Sequence, residues 1–356
     1  MIYAKCYGTI NQVVRVSRIV KRKHVGVYEM LHENTRITRK MEFSLSNILL
    51  LLLVLMVINY AALIAIHKIQ KQVIIAPGMA PQREGFTDKF GSETFLTNDT
   101  LYDKFYASVY DQLTQQETRT AAKVALILQE WQKRSWKTEQ MDVLDAGCGT
   151  GVACAAFAKM KVKSCLALDK SEAMLDKAKV GNQKNAMVQY RVADLNNPSA
   201  LSGGEVSHAV CLYFSLYYLP DKDTFFRNMF LWVKPGGELA VEVVNKYKFD
   251  PLLESASPWV GFSLQKYSNK RVTESKVAFD KFEYTGRFDL YDPSADFTET
   301  FRFKDGTIRR QKHKLTMPSM EEIVKMGQAA GWTYVKYIDL VIVGFEYSYI
   351  LFFRHP

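Results

Sequence analysis

The chain has 356 residues and a formal net charge of +10, from 47 lysines and arginines against 37 aspartates and glutamates. Residues 1–84 hold twelve of the basic residues and four of the acidic ones, so the rest of the chain is nearly neutral. A nearly neutral domain lacks the basic surface of a nucleic-acid binder, and the sequence has no Cys-x-x-Cys pair, His-Glu-x-x-His run or histidine cluster typical of metal sites. We therefore expect no metal and no nucleic-acid partner, and one domain of about 250 residues with an additional N-terminal part.

The N-terminal part divides into a basic segment, residues 1–42, and an apolar run over residues 43–66. No Asp, Glu, Lys, Arg or His occurs in these 24 residues, and about 20 apolar residues suffice to span the hydrocarbon core of a bilayer. A signal peptide would have a shorter apolar core and would lie nearer the N-terminus. The length and leucine content argue against a buried helix of a soluble protein. We predict one transmembrane helix at 43–66 and a linker over 67–98.

The charges around the apolar run support two orientations. Basic residues cluster at 15–23, and with residues 1–40 present the positive-inside rule places the N-terminus in the cytoplasm and the domain across the membrane. If translation begins at Met41, Lys68 and Lys71 are the dominant positive flank and the domain stays in the cytosol. The five cysteines lack the paired spacing of a secreted disulfide framework. We favour a single-pass membrane protein whose domain faces the cytosol.

The segment after the linker is rich in aromatic residues. Residues 102–111, Tyr-Asp-Lys-Phe-Tyr-Ala-Ser-Val-Tyr-Asp, place aromatic side chains at positions i, i+3, i+4 and i+8. This spacing puts them on one face of a predicted helix, with Tyr110 near its end. Such a face can pack against a core or cover a ligand, and the pattern alone does not decide between the two.

Residues 143–151, Val-Leu-Asp-Ala-Gly-Cys-Gly-Thr-Gly, are the most informative segment of the chain. They predict a strand that runs into a tight turn and opens a helix, and the glycines let the backbone approach a ligand closely. A dinucleotide fingerprint would have its third glycine one residue later, where Val152 stands, and a P-loop would need a lysine followed by Ser or Thr. The segment matches neither pattern, and it keeps an acidic residue two positions before Gly-x-Gly-x-Gly.

Two further acidic residues follow at the ends of predicted strands. Residues 164–169, Ser-Cys-Leu-Ala-Leu-Asp, predict a buried strand that ends at Asp169, and residues 188–195 alternate into a third strand with Asp194 at its end. Residues 170–175 between them read Lys-Ser-Glu-Ala-Met-Leu. Each acidic residue alone is more typical of a helix cap or a solvated loop. Their order and their regular spacing together favour one shared site.

These motifs resemble those of the class I S-adenosylmethionine (SAM) methyltransferases. SAM carries no phosphate, so its site needs close backbone approach and acceptors rather than a phosphate-binding lysine. The resemblance implies that SAM is the cofactor, that Asp145 and the glycine loop hold its amino-acid end, and that Asp169 accepts from the ribose hydroxyls, since a carboxylate suits a vicinal diol. It also implies that Asp194 accepts from the adenine amine. The full set of implied cofactor-binding residues is Asp145, Ala146, Gly147, Cys148, Gly149, Gly151, Asp169, Lys170, Met174, Ala193, Asp194, Leu195, Tyr213 and Tyr110.

The segments after these motifs complete an α/β fold. Residues 209–214 form the continuous apolar run of a strand that is buried on both faces of a parallel sheet. Residues 231–244, with Lys-Pro-Gly-Gly at their centre, resemble the family's next turn and fifth strand, and residues 332–338 and 341–353 predict a final strand pair. The predicted fold over residues 99–356 is a Rossmann-like, doubly wound sheet of seven strands, of which the last is antiparallel.

A region of about residues 249–318 interrupts this pattern. Its aromatic residues stand in alternating, strand-like runs, and Asp305-Gly306 indicates a hairpin. Members of the family resembling this chain carry an antiparallel lid there. An aromatic lid suits an apolar or cationic acceptor, although the rings can also form the core of the lid itself. The aromatic residues are Phe279, Phe282, Tyr284, Phe288, Tyr291, Phe297, Phe301 and Phe303.

Two histidines lie in the predicted domain at informative places. We expect His208 at the surface, where the fourth strand begins. His313 is a candidate base in the polar run 309–314, which we expect to form one edge of an antiparallel strand. Methyl transfer to an acceptor that is already nucleophilic depends mainly on alignment of the reacting atoms. The sequence therefore assigns no catalytic residue.

The sequence predicts a membrane-anchored, SAM-dependent methyltransferase that acts on an oxygen or nitrogen nucleophile of a small molecule, a lipid-like molecule or a protein side chain. Methylation of nucleic-acid bases is disfavoured, because no Asn/Asp-Pro-Pro-aromatic run follows the fourth strand and no cysteine follows a proline. SAM is made in the cytosol, which favours a cytosolic domain. The alternative is a non-catalytic, membrane-anchored SAM-binding scaffold or regulator of a partner enzyme.

Overall fold

The computed structural model describes residues 93–98, 100–115, 117–134, 136–182, 185–252 and 270–356, all within one compact unit, Ala80–Pro356. The predicted basic segment 1–42, the predicted transmembrane helix 43–66 and the linker up to residue 92 lie outside the described residues. None of the helices in the described ranges is long and apolar enough to cross a membrane.

The described elements alternate between strands and helices through the first half of the domain. The strands are β1 (Glu93–Thr97), β2 (Asp142–Ala146), β3 (Ser164–Asp169), β4 (Val188–Val192), β5 (Val206–Cys211), β6 (Val233–Val244), β7 (Glu274–Ala278), β8 (Phe282–Leu290), β9 (Ser294–Phe303), β10 (Ile308–Thr316), β11 (Thr333–Asp339) and β12 (Ser348–Arg354). The helices are α1 (Lys104–Thr114), α2 (Glu117–Gln132), α3 (Val152–Lys159), α4 (Glu172–Gly181), α5 (Ser215–Tyr218), α6 (Lys222–Trp232) and α7 (Met320–Ala329).

Seven strands form the large sheet, in the order β11-β12-β6-β5-β2-β3-β4. The pairs from β6 through β5, β2 and β3 to β4 are all parallel. The last strand, β12, is inserted between β6 and β11 and runs antiparallel to both. The predicted α/β fold, a doubly wound sheet with its last strand antiparallel, is confirmed.

Helices cover both faces of this sheet, which explains why its central strands are apolar throughout. Successive side chains of a strand point to opposite faces, and Leu144 packs into the cluster that contains Trp232 of α6. The preceding residue, Val143, packs into the other cluster, with Ile127 of α2 and Phe157 of α3. Each fully buried large apolar side chain stabilises the fold by about 1.5–3 kcal/mol.

A smaller sheet of five strands has the order β1-β10-β9-β8-β7. Strands β7 to β10 pair in antiparallel fashion and supply the predicted lid insertion. The fifth strand, β1, pairs parallel to β10, although it lies in the segment predicted as linker. Five residues without clear alternation carry little sequence signal, so the pairing with β10 determines this strand.

Both histidine positions differ from the sequence-based expectation. His208 lies inside β5 with no exposed surface, and its ring contacts Trp131 and Trp136 at centroid distances of 4.4 and 4.7 Å. Burial lowers the pKa of His208 to about 3, so it is neutral. His313 lies in β10, which has β1 on one side and β9 on the other, so it is not on an edge strand.

Candidate functional site

The glycine-rich loop joins β2 to α3 at the carboxyl edge of the parallel strands. Gly147, Gly149 and Gly151 have φ angles of 77°, 53° and 77°, in the left-handed region that favours glycine. The Gly147 N–H donates to the carbonyl oxygen of Leu168, at 2.8 Å. A Cβ atom on Gly147 would lie 2.9 Å from the Cβ of Ser215. The backbone angles thus favour glycine at all three positions, and at Gly147 a side chain would also collide with Ser215.

Asp169 ends β3 beside this loop, because β2 and β3 are parallel neighbours. Its Oδ2 accepts from the Gly149 N–H at 2.8 Å, and its Oδ1 accepts from the Ser171 N–H at 2.9 Å. Burial raises the pKa of Asp169 above its ordinary value, against the lowering effect of these backbone hydrogen bonds. Each carboxylate oxygen has more than one acceptor position, so Asp169 can still accept from a diol.

A cavity of about 1010 Å³ extends along this edge of the sheet. Ligand pockets usually measure about 300–1,000 Å³, so this cavity has room for a cofactor and a second small molecule. Its wall includes parts of the glycine loop, α1, α4, α5 and β10. The predicted cofactor-binding residues in the wall are Gly147, Gly149, Asp169, Lys170, Met174, Ala193, Asp194, Leu195, Tyr213 and Tyr110.

Asp194 is placed differently from the sequence-based interpretation. Strand β4 ends at Val192, so Asp194 lies in the following turn, where its Oδ1 accepts from the Asn196 N–H at 2.9 Å. Its Oδ2 lies 3.6 Å from Lys170 Nζ, in an ion pair whose side chains are both exposed. Asp194 still lines the cavity, and its role toward the adenine stays a prediction.

The structure does not bring Asp145 to the cavity wall. Its side chain is buried in β2, and the Cys154 thiol donates to its Oδ2 over 3.4 Å. Burial raises the pKa of Asp145 to about 7, and the neighbouring Asp169 charge also raises it, while the hydrogen bond from Cys154 lowers it. In this arrangement Asp145 faces the packing between β2 and α3, whereas we expected it to face the amino-acid end of SAM.

Three further predicted residues are also not among those that line the cavity. Ala146 is fully buried in β2. Cys148 contributes its N–H to a 3.0 Å hydrogen bond with the carbonyl oxygen of Leu168. Gly151 sits where a Cβ would come within 2.9 Å of Ala178 Cβ, so it permits close packing of α3 against α4. These residues shape the loop without lining the cavity.

Tyr213 follows β5 and lines the cavity in a backbone conformation that is uncommon for a residue with a side chain. Its φ is 56°, and its N–H donates to Glu242 Oε2 at 2.8 Å. The other carboxylate oxygen of Glu242 accepts from Lys123 Nζ at 2.6 Å, and both side chains are buried. Glu242 and Lys123 were not predicted as site residues, although a glutamate within the apolar strand β6 is a usable signal.

Helix α1 covers one side of the cavity and begins later than predicted. Asp103 caps it by accepting from the Tyr106 N–H at 2.9 Å, so Tyr102 precedes the helix. Asp111 accepts from the hydroxyl of Thr150 at 2.5 Å, which ties the helix to the glycine loop. Tyr102 and Tyr110 line the cavity.

Most of the aromatic residues of the lid are buried or partly buried, Tyr291 is exposed, and none of them lines the cavity. Phe282, Tyr284 and Phe301 are buried in one cluster with residues of α1, including Tyr106. None of the eight lid aromatic residues that we singled out is in the cavity wall. Of the two roles that the sequence left open for these rings, the structure favours the core of the lid, and the rings that face the cavity are tyrosines from outside the lid.

A buried polar network connects the lid to the cavity. His313 Nε2 lies 2.5 Å from Glu299 Oε2, and His313 Nδ1 lies 2.6 Å from the hydroxyl oxygen of Tyr218, a residue of the cavity wall. Glu299 also accepts from Tyr284 at 2.7 Å and from Gln311 at 2.5 Å. Burial would raise the pKa of Glu299, but its interaction with His313 and these hydrogen bonds hold it below its ordinary value.

The sequence offered no clear signal for this network, because residues 309–314 are all polar. Strand β10 alternates strictly between buried and exposed positions, and its buried positions include the polar residues Arg309, Gln311 and His313. Polar residues at inward positions need buried partners. In the described part of the chain, no group of three His, Cys, Asp or Glu residues could hold a metal ion.

Comparison with known proteins supports the same interpretation. Residues 143–237 match a family model described as a methyltransferase domain. A ubiquinone biosynthesis O-methyltransferase of Xanthomonas oryzae pv. oryzae is 28% identical over 105 residues, which are 29% of this chain and 43% of that protein. A trans-aconitate 2-methyltransferase of Deinococcus radiodurans is 34% identical over 105 residues, which are 28% of this chain and 37% of that protein. The chain thus spans less than half the length of these curated relatives.

Solved structures share the fold over more of the chain. A SAM-dependent methyltransferase of Clostridium acetobutylicum superposes with a TM-score of 0.54 and 18% identity, over 70% of this chain and 97% of that one. The CcbJ methyltransferase of Streptomyces caelestis gives a TM-score of 0.53 and 18% identity, over 73% of this chain and 99% of that one. With the sheet order, these similarities show that the chain has the fold of SAM-dependent methyltransferases, and residues 143–237 carry the match to a methyltransferase domain.

Proposed function

We propose that this protein transfers a methyl group from SAM to an oxygen or nitrogen nucleophile of a small molecule. The observation that carries the proposal is a single cavity in which the glycine loop and Asp169 form one part of the wall and Tyr102, Tyr110 and Tyr218 form another. Such a cavity can hold a cofactor and an acceptor side by side. Lipid-like molecules and protein side chains are the alternative acceptors in this proposal.

The residues of the cavity fit SAM chemically. A ligand can approach the backbone of the loop closely. The loop has no phosphate-binding lysine, which suits SAM because SAM has no phosphate. Asp169 is placed to accept from the ribose hydroxyls, and we expect Met174 and Leu195 to pack on the adenine, since both line the cavity. When bound, SAM supplies a methyl group on a positively charged sulfur.

The acceptor side of the cavity favours a small molecule. Its wall there is built from Tyr102, Tyr218 and Lys314, together with residues that precede α1, so we expect the acceptor to bind between α1 and the lid. The printed names of the two curated relatives describe O-methylation in ubiquinone biosynthesis and methylation of trans-aconitate. Both support a small acceptor.

The test begins with calorimetry of the full-length protein with SAM and with S-adenosylhomocysteine. Release of S-adenosylhomocysteine is then measured with panels of phenols, alcohols, amines and carboxylates. Binding together with turnover on one panel supports the proposal. Binding without turnover on any panel favours the SAM-binding scaffold, and failure of the folded protein to bind SAM contradicts both.

We also propose that residues 43–66 anchor the protein in a membrane, with the methyltransferase domain in the cytosol. The support is the sequence alone: 24 residues without a charged side chain, long enough to cross a bilayer, and a cofactor that is made in the cytosol. Alkaline extraction of membranes tests the anchor, and protease protection of sealed vesicles tests the orientation. Forms that start at Met1 and at Met41 are compared, because their flanking charges differ.

A further inference from the structure

The buried histidine behind Tyr218 has the geometry of a proton acceptor. Glu299 makes three hydrogen bonds. In two of them the donors are the hydroxyl group of Tyr284 and the side-chain N–H of Gln311. An ionised carboxylate can only accept, so the ring nitrogen of His313 that faces Glu299, Nε2, carries a proton. In the neutral imidazole, Nδ1 is then the acceptor, and the hydroxyl of Tyr218 donates to it over 2.6 Å.

Tyr218 is the member of this network that reaches the cavity. It ends the short helix α5, and it stands in the cavity wall with Ser215, whose hydroxyl donates to the Gly147 carbonyl oxygen over 3.1 Å. Burial raises the pKa of Tyr218 well above its ordinary value, although a hydrogen bond with Tyr102 opposes this. Tyr218 therefore carries its proton at neutral pH, and it can take up another only by passing its own to His313.

The lid is built to keep this arrangement in place. Gly286 of β8 lies opposite Glu299 of β9, and a Cβ on Gly286 would come within 2.7 Å of the Tyr284 hydroxyl oxygen. The absence of a side chain there leaves space for the Tyr284 hydroxyl to reach Glu299. On the other side, Arg309 donates to Gln311 at 2.9 Å and fixes the amide that donates to Glu299.

We propose that Tyr218 takes the proton from the acceptor and passes its own proton to His313, whose charged form Glu299 stabilises. This proposal rests on the proposed methyl transfer, and it names the acceptor class: a hydroxyl or amine that still carries a proton on its nucleophilic atom. A carboxylate acceptor has no such proton and gains nothing from the relay. Tyr218 is then a catalytic residue, and His313 and Glu299 act through it.

The step balances in atoms and charge. A hydroxyl or amine that gains a methyl group from SAM, whose sulfur keeps the electron pair of the broken carbon–sulfur bond, loses one proton. That proton goes to the Tyr218 oxygen while the Tyr218 proton goes to His313 Nδ1. The positive charge that leaves the sulfur therefore reappears on His313, next to the Glu299 carboxylate. The proton returns to water after the product leaves.

The charged and titratable groups around His313 determine how this step depends on pH. Glu299 is the charged group that faces its ring directly. Arg309 lies one link away, through Gln311, and is itself paired with Asp103 over 2.7 Å. The other groups that contact the ring or share its hydrogen-bonded network are Tyr102, Tyr106, Phe297, Tyr218, Tyr284 and Gln311.

The first test needs no acceptor. Full-length protein with 15N-labelled histidine is compared with its Tyr218→Phe variant by NMR, and the His313 signals are assigned by their loss in His313→Asn. We expect a proton on Nε2 and none on Nδ1 at neutral pH, and a change in the Nδ1 signal alone in Tyr218→Phe. A proton on Nδ1 in the wild-type protein, or an Nδ1 signal that ignores Tyr218→Phe, would overturn the relay.

The second test measures catalysis with the acceptor found by the panels. Tyr218→Phe keeps the ring, so we expect SAM affinity within about twofold of wild type and a kcat lower by about 100-fold, as for the loss of a general base. The loss should shrink with acceptors that are already deprotonated at the assay pH. Tyr334→Phe, at a tyrosine of β11 that does not line the cavity, is the matched control and should leave kcat unchanged.

The outcomes separate this inference from the proposed function. Unchanged turnover in Tyr218→Phe, or an equal loss for all acceptors whatever their acidity, overturns the relay while methyl transfer stands. If wild-type protein binds SAM but methylates nothing, the proposed function fails, and the relay as a catalytic device fails with it. Glu299→Gln provides a second variant that keeps two hydrogen bonds, and we expect it to lower kcat without weakening SAM binding.

Discussion

Glu242 holds Tyr213 in its uncommon backbone conformation by accepting from the Tyr213 N–H over 2.8 Å. The same carboxylate accepts from Lys123, whose Nζ lies 4.0 Å from the ring centroid of Phe345. A buried ion pair between β6 and α2 therefore supports the backbone of a residue in the cavity wall. Positive φ at a non-glycine residue persists only when its surroundings enforce it, and here the hydrogen bond to Glu242 contributes to that.

Removing Glu242 should destabilise the protein strongly. In Glu242→Ala, Lys123 keeps a buried charge without its partner, and Tyr213 loses its hydrogen bond. Loss of one member of a buried ion pair typically lowers the free energy of unfolding by about 3–5 kcal/mol. Urea denaturation measures this quantity. The control is Glu274→Ala, which breaks an exposed pair with Lys276 and should change it by less than about 1 kcal/mol. Equal effects of the two variants would contradict the assigned role.

The large sheet could be predicted because its signals are local. The apolar run of β5, the glycine turn after β2 and the acidic residue that ends β3 each lie within a few neighbouring positions. Asp194 was misplaced by a similar local argument, because alternation through residue 195 does not reveal that β4 ends at Val192. Only the geometry of the following turn shows where β4 ends.

The polar network could not be predicted because distant pairing creates it. Glu299 meets Gln311 through the register of β9 and β10, and His313 meets Tyr218 across 95 positions of the chain. In the sequence, residues 309–314 are a polar run that is typical of an exposed strand. Their polarity does not indicate which residues point inward, and what they meet depends on the packing of the lid against α5.

Asp169→Ala should weaken SAM binding without unfolding the protein. The substitution removes two acceptor oxygens, and charge-assisted hydrogen bonds of this kind contribute about 1.5–3 kcal/mol, so the dissociation constant should rise about 10- to 100-fold. Calorimetry with the full-length protein measures it. Asp280→Ala, an exposed acidic residue outside the cavity wall, should leave the constant unchanged. Unaltered affinity in a folded Asp169→Ala protein would refute the ribose assignment.

Gly147 and Gly306 have similar backbone angles but different amounts of space around them. Their alanine variants therefore distinguish the effect of backbone strain from the effect of crowding. Gly147 has φ 77° and would place a Cβ against Ser215, whereas Gly306 has φ 87° and open space around it. Either substitution by alanine should lower the free energy of unfolding by about 1–2 kcal/mol through the left-handed conformation. Only Gly147→Ala should also weaken SAM binding, because Ser215 must move. Similar SAM affinities for the two variants would show that the crowding at the loop is not important for the cofactor.

His208 should make stability depend on pH in a defined window. Burial, together with the nearby Arg134 charge, lowers its pKa from an ordinary 6.5 to about 3, so between these values the unfolded chain binds a proton that the folded protein does not. The free energy of unfolding therefore falls as the pH falls through this window, by about 1.4 kcal/mol per pH unit from this residue. Above about pH 6.5 the contribution is constant. Chemical denaturation from pH 7 to pH 4 should show this slope in the wild-type protein and a shallower one in His208→Asn. Parallel slopes for the two proteins would mean that His208 is charged in the folded state or is exposed to solvent.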